Sequence, residues 1–342
     1  MTLLQQNRAA DVVREVKRSA RAAKLRASLQ QLLAFASLLA LVIFFAVASD
    51  KFYQSANLSN ILLSTVVTGI LALGTTFVII TGGIDLSIGT GMTLCAVMTA
   101  VFMTNLGLPM ILGVLGGILF GALIGCVNGL FVALLKIPPF IATLAMMMVA
   151  AGLALVISGT KPIYTSGVEG FQTIFALGKS IPGLIIPNAV FILFAAAIVA
   201  GLLLGKTVLG RYTYSIGSNE EATRLSGVNV TKWKIIIYTV AGCFTGLAGV
   251  VAAARLNSAQ PAGGMGLELQ AIAAVVIGGT SLQGGKGSIL GTVIGALIMS
   301  VLTNGLSIMS IPQEWQNVAV GVVILLAVYL DILRRKQTGR AT

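Results

Sequence analysis

GRYTYSIGSNEEATRLSGVNV, from Gly210 to Val230, is a polar island between two long apolar runs. Ser218 followed three residues later by Glu221 fits a capping box, in which the hydroxyl takes a free amide at a helix start and the carboxylate reaches back. The spacing predicts a helix beginning near Asn219. Gly227 suits the left-handed conformation that closes a helix, so the element is about two turns long. A helix that short is not stable by itself. Ala222 and Leu225 share one face, while Glu220, Glu221 and Arg224 are spaced to interact with one another. The outcome is a small knob with an apolar tip and a charged collar. It reads either as a docking element or as a surface helix that shields the end of a bundle.

The surrounding composition sets the class. The chain is 57% hydrophobic and 9% charged, with 40 glycines in 342 residues, which matches membrane helices rather than a soluble domain. An all-α, polytopic membrane helix bundle is expected. Cys95, Cys126 and Cys243 fall inside apolar runs without paired spacing, so neither a disulfide framework nor a zinc site is suggested. The sequence contains no histidine, which closes the imidazole routes to acid–base catalysis, metal ligation and proton relay.

Ten apolar runs can serve as spans: Leu32 to Ser49, Asn60 to Thr81, Leu86 to Thr104, Met110 to Leu135, Phe140 to Ser158, Asn188 to Gly205, Trp233 to Ala254, Leu267 to Gly279, Ser288 to Ser307 and Trp315 to Leu330. Pro109, Pro139 and Pro187 stand where a helix start tolerates them. With the N-terminus inside, 18 of the 22 basic residues fall on inner segments, and the outer loops balance to zero. The positive-inside rule therefore puts both termini and the polar island in the cytoplasm. The organisation is a basic cytoplasmic segment at 1–30, a transmembrane domain at 31–331 with a cytoplasmic loop at 206–232, and a basic tail at 332–342. Residues 1–30 read equally as an amphipathic helix on anionic lipid or as the positive flank of the first span. The basic balance reflects topology and not nucleic-acid binding, since no basic stripe with interleaved aromatics is present.

An internal repeat lies at an offset of 196 residues, with Thr81 to Thr99 over Ile277 to Gly295. Each copy has two glycines, a polar turn, and a helix with a small-residue stripe: Ser87, Gly91, Cys95 and Thr99, then Gly287, Gly291 and Gly295. Two halves of like orientation are implied. The fourth span carries Gly113, Gly117, Gly121, Gly125 and Gly129 on one face, where another helix backbone, of this chain or of a second copy, approaches closely. The eighth run is only long enough for roughly 20 Å at ~1.5 Å per residue, so a helix broken within the membrane is expected there. Thr280, Ser281 and Gln283, and by the repeat Asp85 and Ser87, would line an enclosed polar cavity. Asp85 is read either as a functional intramembrane carboxylate or as the N-cap of the third span.

Gly205-Lys206-Thr207 has the end of a phosphate-binding loop, but Ala200 stands where its upstream glycine belongs, and Lys286 is followed by Gly287. No cofactor is expected on this chain, and ATP-powered transport would need another polypeptide for hydrolysis.

Three stretches, GGIDLS at Gly82 to Ser87, GSNEEATRLSGV at Gly217 to Val228 and ARLNSAQPAGGMGLELQAIAAVVIGGTSLQGGKGS at Ala254 to Ser288, resemble the permease subunits of ribose-, galactoside- and xylose-type sugar ABC importers of bacteria. The resemblance covers roughly Asn57 to Leu330. It implies a homodimer of permease chains among the lipids of the inner membrane, a cytoplasmic tandem ATPase that holds ATP and Mg, and a periplasmic sugar-binding protein. It also implies that Asn219 to Leu225 seats in a cleft of the ATPase, and that transport is by alternating access. Asn128, Thr280, Ser281, Gln283 and Asn304 are candidate contacts for a neutral sugar, with interhelical hydrogen bonding as their alternative role. Rival readings are the same architecture carrying a nucleoside, a carbohydrate-like signal or an amino acid, and an ion-coupled secondary transporter.

Overall fold

The computed structural model describes residues 32–177 and 186–339. The segment expected at 1–30 and the end of the tail lie outside the described residues. All ten expected spans are helices: α1 (Leu32–Ala48), α2 (Ser55–Ile80), α3 (Ile88–Ala100, extended by a π turn over Val101–Asn105), α4 (Met110–Ala133), α5 (Pro139–Ser158), α6 (Asn188–Lys206), α9 (Val230–Leu256), α10 (Leu267–Ile277), α11 (Ile289–Ile308) and α12 (Gln313–Gly339). Seven of the described helices are long and apolar enough to cross a membrane by themselves, whereas α1 and α10 are shorter apolar helices. The last helix runs on to Gly339, so the tail begins as a continuation of it. The polar island forms two helices rather than one, α7 (Val208–Ser218) and α8 (Glu220–Leu225). A two-stranded ribbon, β1 (Ile163–Tyr164) with β2 (Ser258–Ala259), pairs Ile163 with Ala259 at the opposite end of the bundle.

The core is organised on α2, in which every residue from Thr65 to Ile80 is buried. A helix that is apolar all round belongs inside, and α6, α9, α10 and α11 pack around this one. By contrast α4, α5 and α6 turn Leu115, Leu119, Met148, Val149, Phe194 and Ile198 outward. Such a surface matches hydrocarbon, so the chain is a multi-pass membrane protein.

The glycine face of α4 packs within the chain. Gly121 and Gly125 meet Gly242 and Gly246 of α9, Gly129 lies on Ile235 and Tyr238, Gly117 on Thr99, and Gly113 on Met103. A Cβ on Gly246 would stand 2.7 Å from the Gly117 carbonyl oxygen, so the two backbones are in contact. Helix association in lipid is driven by this packing, because lipid tails remove the hydrophobic gain.

The two glycine turns of the expected repeat close their helices alike, with a pattern that also ends α5, α8 and α11. At the end of α2, the Gly82 amide donates to the Ile79 carbonyl and the Gly83 amide to Val78; at the end of α10, Gly279 donates to Val276 and Thr280 to Val275. Gly82 and Gly279 both take positive φ, 79° and 93°. These two helix ends lie 197 residues apart, and the turn after α10 is four residues longer, since α3 begins at Ile88 and α11 at Ile289. Packing of the stripes also differs. Gly291 and Gly295 close α11 onto Gly278 and Ala274 of its own α10, and Gly287 abuts Ile80 and Thr280. Gly91 and Thr99 instead close α3 onto α9 and α4.

The helix-crossing glycines should respond differently from glycines that face open space. Gly242→Ala is expected to cost about 1–3 kcal/mol through overpacking. Gly152→Ala, on α5 with nothing near its Cα, should instead gain about 0.5–1 kcal/mol from helix propensity. Thermal unfolding of the purified chain in detergent checks both.

Candidate functional site

The knob at the head of α8 is built from local rules. Asn219 is extended (φ −159°, ψ 101°), and its Oδ1 accepts from the Ala222 amide at 2.9 Å. Ser218 is the last residue of α7, so the expected capping box does not form, and Asn219 caps in its place. Gly227 (φ 84°) closes the helix, its amide donating to Arg224 at 3.0 Å and that of Val228 to Thr223 at 3.4 Å. Glu220 and Glu221 in the first turn and Arg224 in the last complement the helix dipole. Arg224 pairs with Glu220 at 3.0 Å and with Glu221 at 3.6 Å, while Lys234 of α9 reaches Glu220 at 2.7 Å and ties α8 to its neighbour. Ala222 is exposed, and Leu225 is 81% exposed. The knob therefore presents an apolar tip, with Thr223 buried behind it.

Its mounting is rigid. Gly217 lies against the Ile80 carbonyl at the end of α2 and the Gly285 amide in the α10–α11 turn, leaving no room for a Cβ. The Gly285 amide donates to that same Ile80 oxygen at 2.8 Å, and the Tyr214 hydroxyl donates to the Gly287 carbonyl at 2.9 Å. Tyr212 packs edge-on against Trp233 at 4.8 Å. One short segment thus touches both turns of the repeat.

The seven polar residues expected along a path fall in three places. Asp85, Ser87 and Asn128 form one dry cluster. Asp85 Oδ1 accepts from the Ser87 amide at 2.9 Å and the Ser87 hydroxyl at 2.6 Å; Asn128 Nδ2 donates to Ser87 Oγ at 2.8 Å and to Asp85 Oδ2 at 3.5 Å. Asp85 is not the N-cap of α3: that position is Ser87, and Asp85 instead closes a turn two residues on. Thr280, Ser281 and Gln283 lie in the α10–α11 turn, beside the polar island, where the Ser281 amide donates to the Lys286 carbonyl at 3.0 Å. Asn304 stands at the far end, donating to Asn57 at 2.9 Å.

A second constellation, between α3 and α10, was not singled out from sequence. The backbone from Gly83 to Ser87 is non-helical within the bundle, and α3 starts there, its first turn fully buried. From the ribbon end, residues 260–266 fold back inward. The Gly263 carbonyl accepts from Thr93 Oγ1 at 2.7 Å, and Gly264 (φ 79°) rests on the Gly89 carbonyl. Helix α10 then begins at Leu267, so two helix N-termini meet inside the bundle. Non-helical backbone is tolerated there because protein surrounds it. Glu268 is 6% exposed; its Oε1 accepts from the Gly266 amide at 3.0 Å and its Oε2, without a hydrogen-bond partner, faces Gly89.

A cavity of about 160 Å³ opens beside this junction, lined by Val67, Thr93, Arg255, Ser258, Gln260 and Gly264 among others. At ~30 Å³ per water it has room for roughly five waters. Gln260 Nε2 donates to Ser258 Oγ at 2.8 Å, and Arg255 has no ion-pair partner among the described residues. None of the seven expected residues lines it. The signal that could have found it was the Gly263-Gly264-Met265-Gly266 run placed just before an apolar helix too short to span.

Comparison with known proteins agrees with this architecture. The chain is 44% identical over 302 residues to the ribose import permease protein of Escherichia coli (strain K12), covering 86% of this chain and 92% of that protein. It is 43% identical over 304 residues to the ribose import permease protein of Bacillus subtilis (strain 168), covering 89% and 93%. Against the xylose transport system permease protein of Escherichia coli (strain K12) the identity is 34% over 368 residues, covering 91% and 94%. The family model described as branched-chain amino acid transport system / permease component matches residues 57–328, and the chain belongs to that family of membrane permeases.

Proposed function

We propose that this chain is the membrane-spanning permease subunit of an ATP-binding-cassette importer in a bacterial inner membrane, and that it carries a pentose of the ribose class. The observation that carries this reading is the mounting of α8: an exposed Leu225 tip fixed through Gly217 to the turns of both repeats. A separate ATPase, holding ATP and Mg, grips that tip. Pentose transport is supported by the ribose and xylose permeases to which the chain is similar over most of its length.

Charge supports the orientation. At the α8 end lie Lys136, Lys206, Arg211, Lys232, Lys234 and Lys286, together with the paired charges of α8, while the ribbon end balances Lys51, Lys161 and Arg255 against Asp50, Glu169 and Glu314. The α8 end is then cytoplasmic, as are both termini. The cavity between α3 and α10 faces the periplasm, where a sugar-binding protein delivers substrate. Two permease copies complete the importer.

The working cycle is alternating access. Closure of the ATPase displaces α8, and the Gly217 contact moves the ends of α2 and α10 together. The α3–α10 junction is where the path changes face, because two helices that start inside a bundle can part there without either being broken. Gln260, Ser258 and Thr93 offer hydroxyl-matching donors and acceptors, and Asp85, Ser87 and Asn128 brace the inner side of the same junction.

Leu225→Asp should abolish co-purification of the ATPase and lower ribose uptake by more than tenfold, while the chain still inserts normally. Gln260→Ala should lower uptake about fivefold, the loss of roughly one hydrogen bond of ~1 kcal/mol, with ATPase assembly intact. Uptake and ribose-stimulated ATP turnover by the complex in proteoliposomes read both. Uphill ribose accumulation by the purified chain alone would contradict the proposal.

A further inference from the structure

A second polar cavity, of about 630 Å³, lies at the α8 end between the α4–α5 turn, α8 and the start of α9. It is lined by Lys136, Arg224, Lys234 and Glu220 on one side and by Val132 and Ile137 on the other. Glu220 is shared by Arg224 and Lys234, at 3.0 and 2.7 Å. That leaves Lys136 without an ion pair among the described residues and the cavity with a positive surplus. Beside it, Leu134 and Leu135 in the α4–α5 turn and Phe140 and Ile141 on α5 are 53–60% exposed. A cationic pocket flanked by outward apolar side chains at a helix end is the arrangement that takes a lipid phosphate with its acyl chains alongside.

We propose that the Lys136–Lys234–Arg224 pocket binds the headgroup of an anionic phospholipid. Its phosphate sits against Lys136 and its acyl chains run along the Leu135–Phe140 surface. The recognised chemistry is a phosphodiester, and the lipid is favoured over free phosphate by the apolar flank. The site adjoins α8 through Glu220 and Arg224, so its occupant bears on the geometry of the knob. It does not depend on what the knob docks to.

The full chain, purified without partners from bilayers of equal phosphatidylglycerol and phosphatidylcholine, tests this by native mass spectrometry of retained lipid. Phosphatidylglycerol should be retained in preference to phosphatidylcholine. Lys136→Asn removes the charge with a residue that tolerates the φ of 55° at this position. It should lower phosphatidylglycerol occupancy about fivefold, the effect of one cation near a charged leaflet. Lys136→Arg should keep it, which also guards against a folding defect. Equal retention of the two lipids by the unaltered chain, or unchanged occupancy in Lys136→Asn, would overturn the proposal. So would displacement by millimolar inorganic phosphate, which would mark a free-anion site. Unchanged lipid with weakened hold on a co-expressed ATPase would assign the pocket to a protein partner and overturn it equally.

Discussion

Gly217 is the residue on which the architecture turns, because three stretches of backbone converge where it has no side chain. The Ile80 carbonyl ends α2, the Gly285 amide belongs to the α10–α11 turn, and Gly217 lies in the last turn of α7, two residues before the α8 cap. A buried carbonyl at a helix end needs a partner, and the Gly285 amide supplies one to Ile80. That hydrogen bond and the van der Waals contact beside it make the ends of both repeats and the root of the knob one body. Side-chain contacts alone would allow the knob to slide. Backbone against backbone does not.

The same logic of close backbone approach recurs through the bundle. With no water to exclude, α4 and α9 associate by meeting at Gly121, Gly125, Gly242 and Gly246. The long helices make a fixed frame around α2, and α3 and α10 start inside it. Their junction at Gly89, Gly264 and Glu268 interrupts helical backbone inside the bundle and adjoins the cavity of about 160 Å³. In the proposed cycle a rigid frame delivers motion to that junction, which a frame that bent would not do.

The ten spans were legible because each is an uninterrupted apolar run, and the short length of the eighth pointed to a helix broken within the membrane, although the break lies before Leu267 and not at the Thr280–Gln283 turn. The partner of the α4 glycines was not read, although Gly242 and Gly246 repeat the spacing of four on α9. Helix α7 was missed because Gly210 and Gly217 look like loop residues. Yet Leu209, Thr213 and Ile216 recur at helical spacing and are its buried face. Its presence explains the change of cap, since Ser218 is consumed by α7 and Asn219 is the next residue free to turn. Scattering of the polar candidates was illegible for a different reason. Whether Asn304 faces Asn57 or a cavity depends on packing between segments far apart in sequence, which no local pattern encodes.

The central claim is that α8 and the turns of both repeats move as one unit when the ATPase closes. Spin labels at Glu221 on α8 and Gln283 in the α10–α11 turn, with a second pair across the cavity at Leu256 on α9 and Leu267 on α10, measure it directly in the assembled complex. On adding a non-hydrolysable nucleotide, the Glu221–Gln283 distance should hold constant while the Leu256–Leu267 distance changes. A changed Glu221–Gln283 distance with a fixed cavity mouth would mean that the knob moves without the gate, and would contradict the account.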